Sequence, residues 1–575
     1  MKHHHSLQRA AATLALVAAL KSRFLRALAA ALLSCAVHAA QAQQAVAPAE
    51  APVDLTILAI NDFHGNLKPS DGGIVIADPA GGARRVAAGG AEHLATLVKN
   101  LRASRRNTIF VAAGDLIGAS PLLSALFHDE PTVESLSLMG LDVSAVGNHE
   151  FDKGKAELLR MQNGGCHPMD GCRGPHLFTG ATFRYLSAST VDRSTGETLF
   201  PAYLVREFDG VPVAFIGLTL KATPTMVTPS GVAGLEFRDE ADTVNALVPQ
   251  LEARGVQAIV VLIHEGGIPF GDYNECPGIA GPIVDIVKRL DKAVAVVVSG
   301  HTHRAYNCRI DGHLVTSADK YGTVLTRIDV TLDRATHRIV TAQADNIIVR
   351  TAELAKDAAQ TALIAAYDDR AKPLADRKVG SVTATLTEQP SLAGETELGD
   401  IIADAQLAAT SSPEVGGAVI AFTNPGGVRT ELGRSGGSDV TFGQLFACQP
   451  FSNSLVTLTL RGAQIKALLE QQWQQNGVRI LHGSHGFTYT WHASRLGGER
   501  VPFEEITLDG KPLDAAASYR ITVNSFLADG GDGFTVLKDG TDRRIGDFDV
   551  NALDRYFAAQ SPLSPGPLDR IRRVD

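Results

Sequence analysis

The sequence predicts an α/β fold in more than one domain, from two observations. The chain has 575 residues, which is too long for a single hydrophobic core. Six continuous apolar runs rich in β-branched residues are typical of central strands buried on both faces, and amphipathic helical stretches such as 91–101 and 241–253 lie between some of them. The predicted strands are residues 55–60, 108–113, 143–146, 213–218, 258–263 and 293–299.

The first 42 residues have the pattern of a secretory signal peptide. A positively charged segment without acidic residues precedes an apolar core, residues 27–37, that is too short to span a bilayer. Ala40-Gln41-Ala42 is a small-x-small site, so we expect cleavage after Ala42 and a periplasmic or secreted protein. Lipoprotein processing at Cys35 is the alternative, which the bulky Leu33 disfavours.

The charge of the chain excludes some partners. Removing residues 1–42 takes away five positive charges and changes the formal charge from −9 to −14. A chain this acidic lacks the basic face needed to bind nucleic acid polymers, and it suits anionic lipid surfaces poorly. We expect no stable membrane span, and the sequence specifies no oligomeric state. Small anions can still bind where a few positively charged groups lie close together.

The cysteines suggest an oxidising compartment, because export permits disulfides. Cys166 and Cys172 enclose a short loop that contains glycine and proline, and we expect them to pair. Cys276 and Cys308 flank residues 300–303 and form the second expected pair. Cys448 is then a buried free thiol.

Polar side chains with metal-binding chemistry follow five of the predicted strands. The carboxyl ends of strands are where α/β sheets place their sites, and a buried polar group without a partner is costly. One such histidine alone is more often a core residue, but the ensemble indicates a metal centre. These residues are Asp62, His64, Asp115, Asn148, His149, His264, His301 and His303.

This mixture of carboxylate, amide and imidazole ligands suits two divalent metal ions about 3.5–4 Å apart, bridged by one carboxylate. Asp115 is the expected bridge, since it is a lone carboxylate between the other groups. Nitrogen and oxygen ligands together favour zinc, manganese, cobalt or iron over magnesium or calcium. The set contains no thiol, so a structural zinc site is not expected.

Three segments carry a family resemblance. They are Asn61-Asp62-Phe63-His64-Gly65, Gly147-Asn148-His149-Glu150-Phe151-Asp152 and Ser299-Gly300-His301-Thr302-His303. They resemble the calcineurin-like metallophosphoesterases and, more narrowly, the secreted or periplasmic 5′-nucleotidase / UDP-sugar hydrolase family, over about residues 53–540. The resemblance implies a four-layer α/β/β/α metallophosphoesterase domain, residues 43–350, and a C-terminal α/β nucleotide-binding domain, residues 374–575.

Between these domains, an Ala-rich, charged stretch at 351–370 predicts a helix that ends near Pro373. We interpret residues 351–373 as a connecting helix; a surface helix of the first domain is the alternative. Beyond it, we expect strands at 381–387, 455–460 and 519–523 and a helix at 463–473.

The resemblance also assigns ligands and catalytic residues. One metal would be held by Asp62, His64, Asp115 and His303, and the second by Asp115, Asn148, His264 and His301. His149 and Asp152 match the catalytic pair. A protonated His149 can stabilise the transferring phosphoryl group or protonate the leaving oxygen, and both roles stay open; Asp152 can orient the imidazole.

The C-terminal half contains residues suited to nucleotide recognition. Two phenylalanines can sandwich a base, each contributing about 1–3 kcal/mol, although each alone is more often a core residue. The resemblance implies that Phe451 and Phe526 stack the base, that Asn424 and Asp532 contact ribose, and that Arg429 binds phosphate. Residues 392–397 lack the arginines that some members carry there. We therefore expect fewer contacts to phosphate, or contacts arranged for another substrate.

We therefore expect a secreted two-metal phosphohydrolase that removes the 5′-phosphate from nucleotides, with UDP-sugars or other nucleotide anhydrides as further candidate substrates. A 2′,3′-cyclic nucleotide phosphodiesterase or another phosphoesterase of this fold is the first alternative; the phenylalanine pair argues against an inorganic sulfur substrate. A non-catalytic nucleotide-binding protein is the second alternative, but every metal position is filled.

Overall fold

The computed structural model describes residues 18–25, 27, 29, 51–70, 72–433, 438–474 and 477–575. The chain divides into two compact units, Met1–Pro52 and Val53–Asp575. In the first unit, residues 18–25, 27 and 29 are helical, whereas the expected cleavage site after Ala42 and the alternative site at Cys35 lie outside the described residues. Within the described ranges, no helix is both long and apolar enough to cross a membrane.

Two six-stranded sheets form the centre of the first half of Val53–Asp575. Parallel strands occupy the interior, and antiparallel strands complete both edges of the second sheet and one edge of the first. The first sheet contains, in spatial order, Ile339–Ile348, Val324–Leu332, Val53–Ile60, Thr108–Ala112, Val143–Ala145 and Arg184–Leu186. The second contains Ala305–Ile310, His313–Ala318, Val294–Val298, Ala258–His264, Val211–Thr219 and Tyr203–Phe208.

The two sheets pack face to face and helices cover their outer faces, which is the expected four-layer α/β/β/α order. Between the sheets, Ile57 and Val111 of the first share a core with Phe215 and Val260 of the second. The helices on the first sheet are Ala91–Ala103, Glu130–Met139 and Gly154–Asn163, and those on the second are Glu240–Glu252 and Pro282–Arg289. Because both faces of the sheets are buried, polar ligands can gather only at strand ends.

A long helix, Ala358–Ala375, joins the two halves and differs from the predicted helix at both ends. It begins later than residue 351 because Asp357 caps it, its carboxylate accepting two backbone N–H bonds of the first turn. It also continues through Pro373. The last turn packs on the core of the second half, whereas Tyr367 packs on Phe127 of the first. The helix thus contacts both halves.

A five-stranded sheet organises the second half, with a smaller sheet beside it. In spatial order the larger contains His482–Gly483, Ile420–Thr423, Ser518–Asn524, Ser454–Arg461 and Thr541–Phe548. The smaller contains Lys511–Pro512, Ile506–Leu508, Phe487–His492 and Ile571–Val574. The main helices are Glu397–Thr410, Phe442–Cys448, Gly462–Glu470 and Asp549–Gln560. This half is therefore also α/β, as expected.

Two predicted elements of this half are shorter than expected. A strand was expected at 381–387, but the observed strand is Lys378–Ser381, which pairs with Asp439–Thr441. Among the described residues after Ser381, the expected stretch forms only isolated β-bridges. The helix expected at 463–473 ends at Glu470 because Trp473–Gln474 forms a short strand with Gly477–Val478.

Both expected disulfides are present, Cys166–Cys172 and Cys276–Cys308. Cys448 is a buried free thiol, as predicted. The second disulfide ties the loop that follows Ala258–His264 to the edge strand Ala305–Ile310, and it thereby fastens two segments that adjoin the candidate site.

Candidate metal centre and active site

The predicted metal ligands lie at the ends of strands from both sheets. Each follows or ends its strand as expected, and all except the half-buried His301 and His303 are buried. Most of them adopt left-handed backbone angles, which are rare outside glycine and typical of sites that the surrounding structure holds in place. The left-handed residues are Asp62, His64, Asp115, His301 and His303.

These side chains converge in two neighbouring groups, Asp62 with His64 and His303, and Asp115 with His264 and His301. In each group, the ligand atoms lie within 4.8 Å of one another. The two groups meet at one atom, Asp115 Oδ2, which is 2.9 Å from His264 Nε2 and 3.7 Å from His64 Nε2. A single carboxylate oxygen therefore faces both groups, which is the position of a bridging ligand.

The donor atoms fit divalent metal ions. His64 Nε2 lies 3.1 Å from His303 Nε2, and burial holds the pKa of both imidazoles well below the usual range. Asn148 Oδ1 is buried without a hydrogen-bond partner among the residues that the structure describes. Converging neutral nitrogens, carboxylates and an orphaned amide oxygen are the environment in which a cation supplies the missing partner.

Two histidines are oriented by hydrogen bonds from the ring nitrogen that points away from the centre, as is usual for metal ligands. His64 Nδ1 donates to the carbonyl oxygen of Gly118 at 2.9 Å, and His264 Nδ1 donates to that of Ala113 at 2.8 Å. Each of these bonds places a ring proton on Nδ1 and directs Nε2 toward the centre. The tautomers are therefore set by backbone groups.

Glu150 holds the loops of the centre together, a role that the sequence analysis did not assign. Its buried carboxylate accepts backbone N–H bonds from Asp115 at 2.9 Å, Leu116 at 2.7 Å and Gly147 at 2.6 Å. The loops are also tightly packed, since a Cβ on Gly147 would lie 2.1 Å from Asp115 Oδ1. The only sequence signal was the position of Glu150 next to His149.

The two residues expected as the catalytic pair, His149 and Asp152, are in contact. His149 Nδ1 lies 3.0 Å and 2.9 Å from the two carboxylate oxygens of Asp152, and its backbone N–H donates to Asp115 Oδ1 at 2.8 Å. Although burial opposes it, the charges of Asp152 and Asp115 raise the pKa of His149. This arrangement favours an imidazolium directed at the centre.

The second half contributes two of its predicted residues directly to this site. The ring of Phe451 stacks on that of His149, with centroids 5.7 Å apart and an interplanar angle of 18°. The Arg429 guanidinium lies 5.9 Å from the Phe451 ring, and its positive charge contributes to the lowered pKa of His303. Arg429 and Phe451 therefore lie beside the candidate centre.

The other predicted contacts to substrate form a separate polar cluster. Asn424 Nδ2 donates to Asp532 Oδ2 at 2.7 Å, and Asn524 Nδ2 donates to Asn424 Oδ1 at 3.0 Å. Arg479, which the sequence analysis missed together with Asn524, lies 3.4 Å from Asp532 Oδ1. Phe526 packs on the core of the second half, whereas the ring partner of Phe451 is His149.

Two cavities adjoin the candidate centre. A small one is lined by His149, Asp152 and Phe451. A larger one of about 620 Å³ runs between the halves and is lined by His303 and Arg429. Its further cationic residues are Lys68, Arg85, Arg304 and Lys320.

Comparison with known families matches both halves. Residues 55–305 match the calcineurin-like phosphoesterases, and residues 378–539 match the C-terminal domain of 5′-nucleotidases. The crystal structure of a 5′-nucleotidase precursor from Thermus thermophilus is similar at a TM-score of 0.74 and 27% identity, covering 91% of this chain and 99% of that one. Sequence and fold therefore agree on one family for the two halves together.

Two longer relatives are also similar. Endonuclease YhcR of Bacillus subtilis is 34% identical over 480 residues, which cover 83% of this chain and 37% of that protein. Cell wall protein Lmo0130 of Listeria monocytogenes is 30% identical over 540 residues, which cover 88% of this chain and 67% of that protein. The chain thus spans little more than a third of the first relative and about two thirds of the second.

The role of Glu150 predicts that Glu150→Ala loses metal and stability together. The substitution leaves three buried N–H groups without an acceptor, at about 1–3 kcal/mol each, so we expect a marked fall in thermal unfolding temperature and less than half of the wild-type metal content. For Glu150→Gln, which keeps one acceptor oxygen, we expect an unfolding temperature and a metal content between those of the wild type and Glu150→Ala. Wild-type metal content in Glu150→Ala, measured by mass spectrometry of bound metals, would refute this role.

Proposed function

Because the chain belongs to the 5′-nucleotidase family of calcineurin-like phosphoesterases, which are metal-dependent phosphoester hydrolases, we propose that it removes the 5′-phosphate from nucleotides at a two-metal centre. The observation that carries the proposal is the position of Asp115 Oδ2 between two groups of ligands, with Phe451 of the other half stacked against His149 beside them.

The proposed ligand sets follow the two groups. The first ion would be held by Asp62, His64, Asp115 and His303, and the second by Asp115, Asn148, His264 and His301. The mixture of imidazole, carboxylate and amide donors favours zinc, manganese or cobalt. Two divalent ions bound there would supply an acidified water and neutralise phosphate oxygens.

The residues around the centre would bind and orient the phosphate. Arg429 presents a guanidinium, whose fork of N–H donors suits phosphate oxygens. A cationic His149, whose charge Asp152 would balance, would either stabilise the transferring phosphoryl group or protonate the leaving oxygen. Since Asp152 accepts from Nδ1, Nε2 is the atom that would deliver the charge or the proton.

The base and ribose would be held by the second half. Phe451 offers an aromatic face at the mouth of the centre, and Phe526 is proposed as the opposite face of the base. Asn424 and Asp532 form a hydrogen-bonded pair whose remaining oxygen lone pairs suit ribose hydroxyls. With no arginine in residues 392–397, Arg429 would carry most of the phosphate binding from this half.

A second candidate activity, hydrolysis of nucleotide anhydrides such as UDP-sugars, is favoured by the larger cavity. In an anhydride the transferred phosphoryl group carries a further substituent, which needs room on the side away from the base. The cavity of about 620 Å³ is lined by His303, by five cationic residues and by the acidic Asp319, Glu388 and Glu431. It is thus suited to a sugar or a second phosphate.

We further propose that the protein is periplasmic or secreted. The proposal rests on the signal-peptide pattern of residues 1–42 and on the two disulfides. The name of the relative Lmo0130, a cell wall protein, agrees with an exported chain.

The proposed activity is tested by product analysis after incubation with AMP, UDP-glucose, 2′,3′-cyclic AMP or single-stranded DNA, which detects nucleoside, nucleotide and sugar phosphate products as well as free phosphate. We expect AMP hydrolysis that is lost on chelation and restored by Zn²⁺, Mn²⁺ or Co²⁺. Release of glucose 1-phosphate from UDP-glucose would support the anhydride activity. Hydrolysis of cyclic nucleotide or DNA without AMP hydrolysis would refute the 5′-nucleotidase proposal.

His149→Ala should retain metal but lose turnover. The substitution leaves the ligand sets and the backbone N–H bond to Asp115 intact, so we expect unchanged metal content and a kcat for AMP lowered by about 10²–10⁴-fold. His176→Ala, at an exposed histidine that pairs with Glu134, serves as the matched control. An unchanged kcat at equal metal content would contradict the assignment.

Phe451→Ala should weaken hydrolysis of substrates that carry a base. Loss of one stacking face, about 1–3 kcal/mol, predicts a roughly 5- to 150-fold fall in kcat/KM for AMP and little change for glycerol phosphate, which has no base. Phe270→Ala is the control, because that side chain is 87% exposed. Equal losses on both substrates would show that Phe451 acts through His149 instead of through the base.

A further inference from the structure

A second cluster of metal-binding side chains lies outside the candidate centre. His128, His167 and Asp170 each offer one ligand atom, and these atoms lie within 4.8 Å of one another. His128 Nε2 is 2.9 Å from Asp170 Oδ2, and His167 Nδ1 is 3.8 Å from the same oxygen. The two imidazole rings stack with their centroids 3.9 Å apart.

The backbone fixes His128 in this cluster. His128 and Asp129 are consecutive residues in the left-handed region, with φ of 56° and 65°, and Ser124 Oγ donates to Asp129 Oδ1 at 3.0 Å. His128 Nε2 is buried and makes no hydrogen bond within the described chain, although Asp170 Oδ2 is close. This nitrogen therefore faces a carboxylate oxygen without a well-aligned hydrogen bond, and a cation bound to both atoms would satisfy both.

The other two side chains lie on a loop closed by the disulfide Cys166–Cys172. Within it, the Asp170 N–H donates to His167 Nδ1 at 3.1 Å. A cation bound through Nδ1 would displace that bond, whereas one bound through Nε2 would leave it. The disulfide restricts the loop, so that less conformational entropy is lost when the loop binds an ion.

The charges around the cluster leave its donor atoms available. Arg173 pairs with Asp170 Oδ1 at 3.5 Å, which leaves Oδ2 to face the histidines. Burial first, then the charges of Lys153 and His167, lower the pKa of His128 to about 4 against the opposing charge of Glu157. A neutral imidazole is the form that binds a metal ion.

We propose that His128, His167 and Asp170 form a third divalent-metal site, of the zinc or cobalt class, separate from the catalytic ligands. Two imidazoles and one carboxylate form a set that metalloproteins use with the remaining positions open to water. The side chains are 13%, 16% and 35% exposed, so an ion can enter from solvent. Binding would tilt the stacked rings, because parallel rings do not direct their lone pairs at one ion.

The site adjoins the proposed catalytic pair. His128 and Lys153 line the same small cavity as His149 and Asp152. An ion would fasten the disulfide loop to residue 128 at the wall of that cavity. The proposal does not depend on the substrate or on the proposed activity.

The experiment counts bound zinc in the full chain after dialysis against buffered free Zn²⁺. We expect His167→Ala and Asp170→Asn each to hold one zinc fewer than the wild type, with AMP hydrolysis close to wild type and with thermal unfolding close to wild type when both proteins are stripped of metal. His176→Ala is the matched control and should keep the full number. The His3–His5 run contributes equally to every variant, so the difference between variants counts this site alone.

Equal zinc numbers in the wild type, His167→Ala and Asp170→Asn would overturn the proposal. Anomalous diffraction from wild-type crystals soaked in Zn²⁺ gives a second readout, independent of activity. A peak about 2.0–2.2 Å from His128 Nε2 and from an Asp170 oxygen is expected. Density at the catalytic ligands without a peak here would equally overturn it.

Discussion

The carboxylate of Asp115 is the interaction on which the rest of the candidate site depends. It is buried at the end of a central strand, and its Oδ2 faces His264 of one ligand group and His64 of the other. A buried carboxylate is tolerated only where cations and hydrogen bonds compensate for lost hydration. The surrounding residues hold this carboxylate in position. Glu150 holds the Asp115 backbone, and Gly147 leaves it the space that a Cβ would fill.

In the proposed function, the first half would carry the chemistry and the second half would recognise the substrate. The first half supplies every proposed metal ligand, whereas the second brings Arg429 and Phe451 to the edge of the centre. In this structure Phe451 lies on the His149 ring, so a base that stacks on this face of Phe451 must part the two rings. Movement of one half against the other is a common way to admit substrate and then exclude water. The connecting helix Ala358–Ala375, which packs on both halves, is where such a movement would be accommodated.

The sequence predicted the candidate metal ligands better than it predicted the residues that hold those ligands in position. Strand ends are visible as apolar runs followed by ligand-type residues, so Asp62, Asp115 and His264 could be identified one by one. The role of Glu150 could not be identified, because its partners are backbone N–H groups that only the fold brings together. The predicted start of the connecting helix was wrong because the Asp357 cap outweighed the helical propensity of the residues before it. The cluster of His128 with His167 was invisible for a further reason: these residues are far apart in sequence, and neither follows a predicted strand.

The most direct test of a carboxylate-bridged pair of metals is electron paramagnetic resonance of the manganese-loaded enzyme. It is best recorded in the Asp170→Asn background, which removes the additional site. The account predicts a spin-coupled spectrum from two neighbouring Mn²⁺ ions, with AMP hydrolysis present, and loss of both the coupling and the activity in the added variant Asp115→Asn. A spectrum of isolated Mn²⁺ in a fully active enzyme would contradict it, because a single ion would then suffice for catalysis.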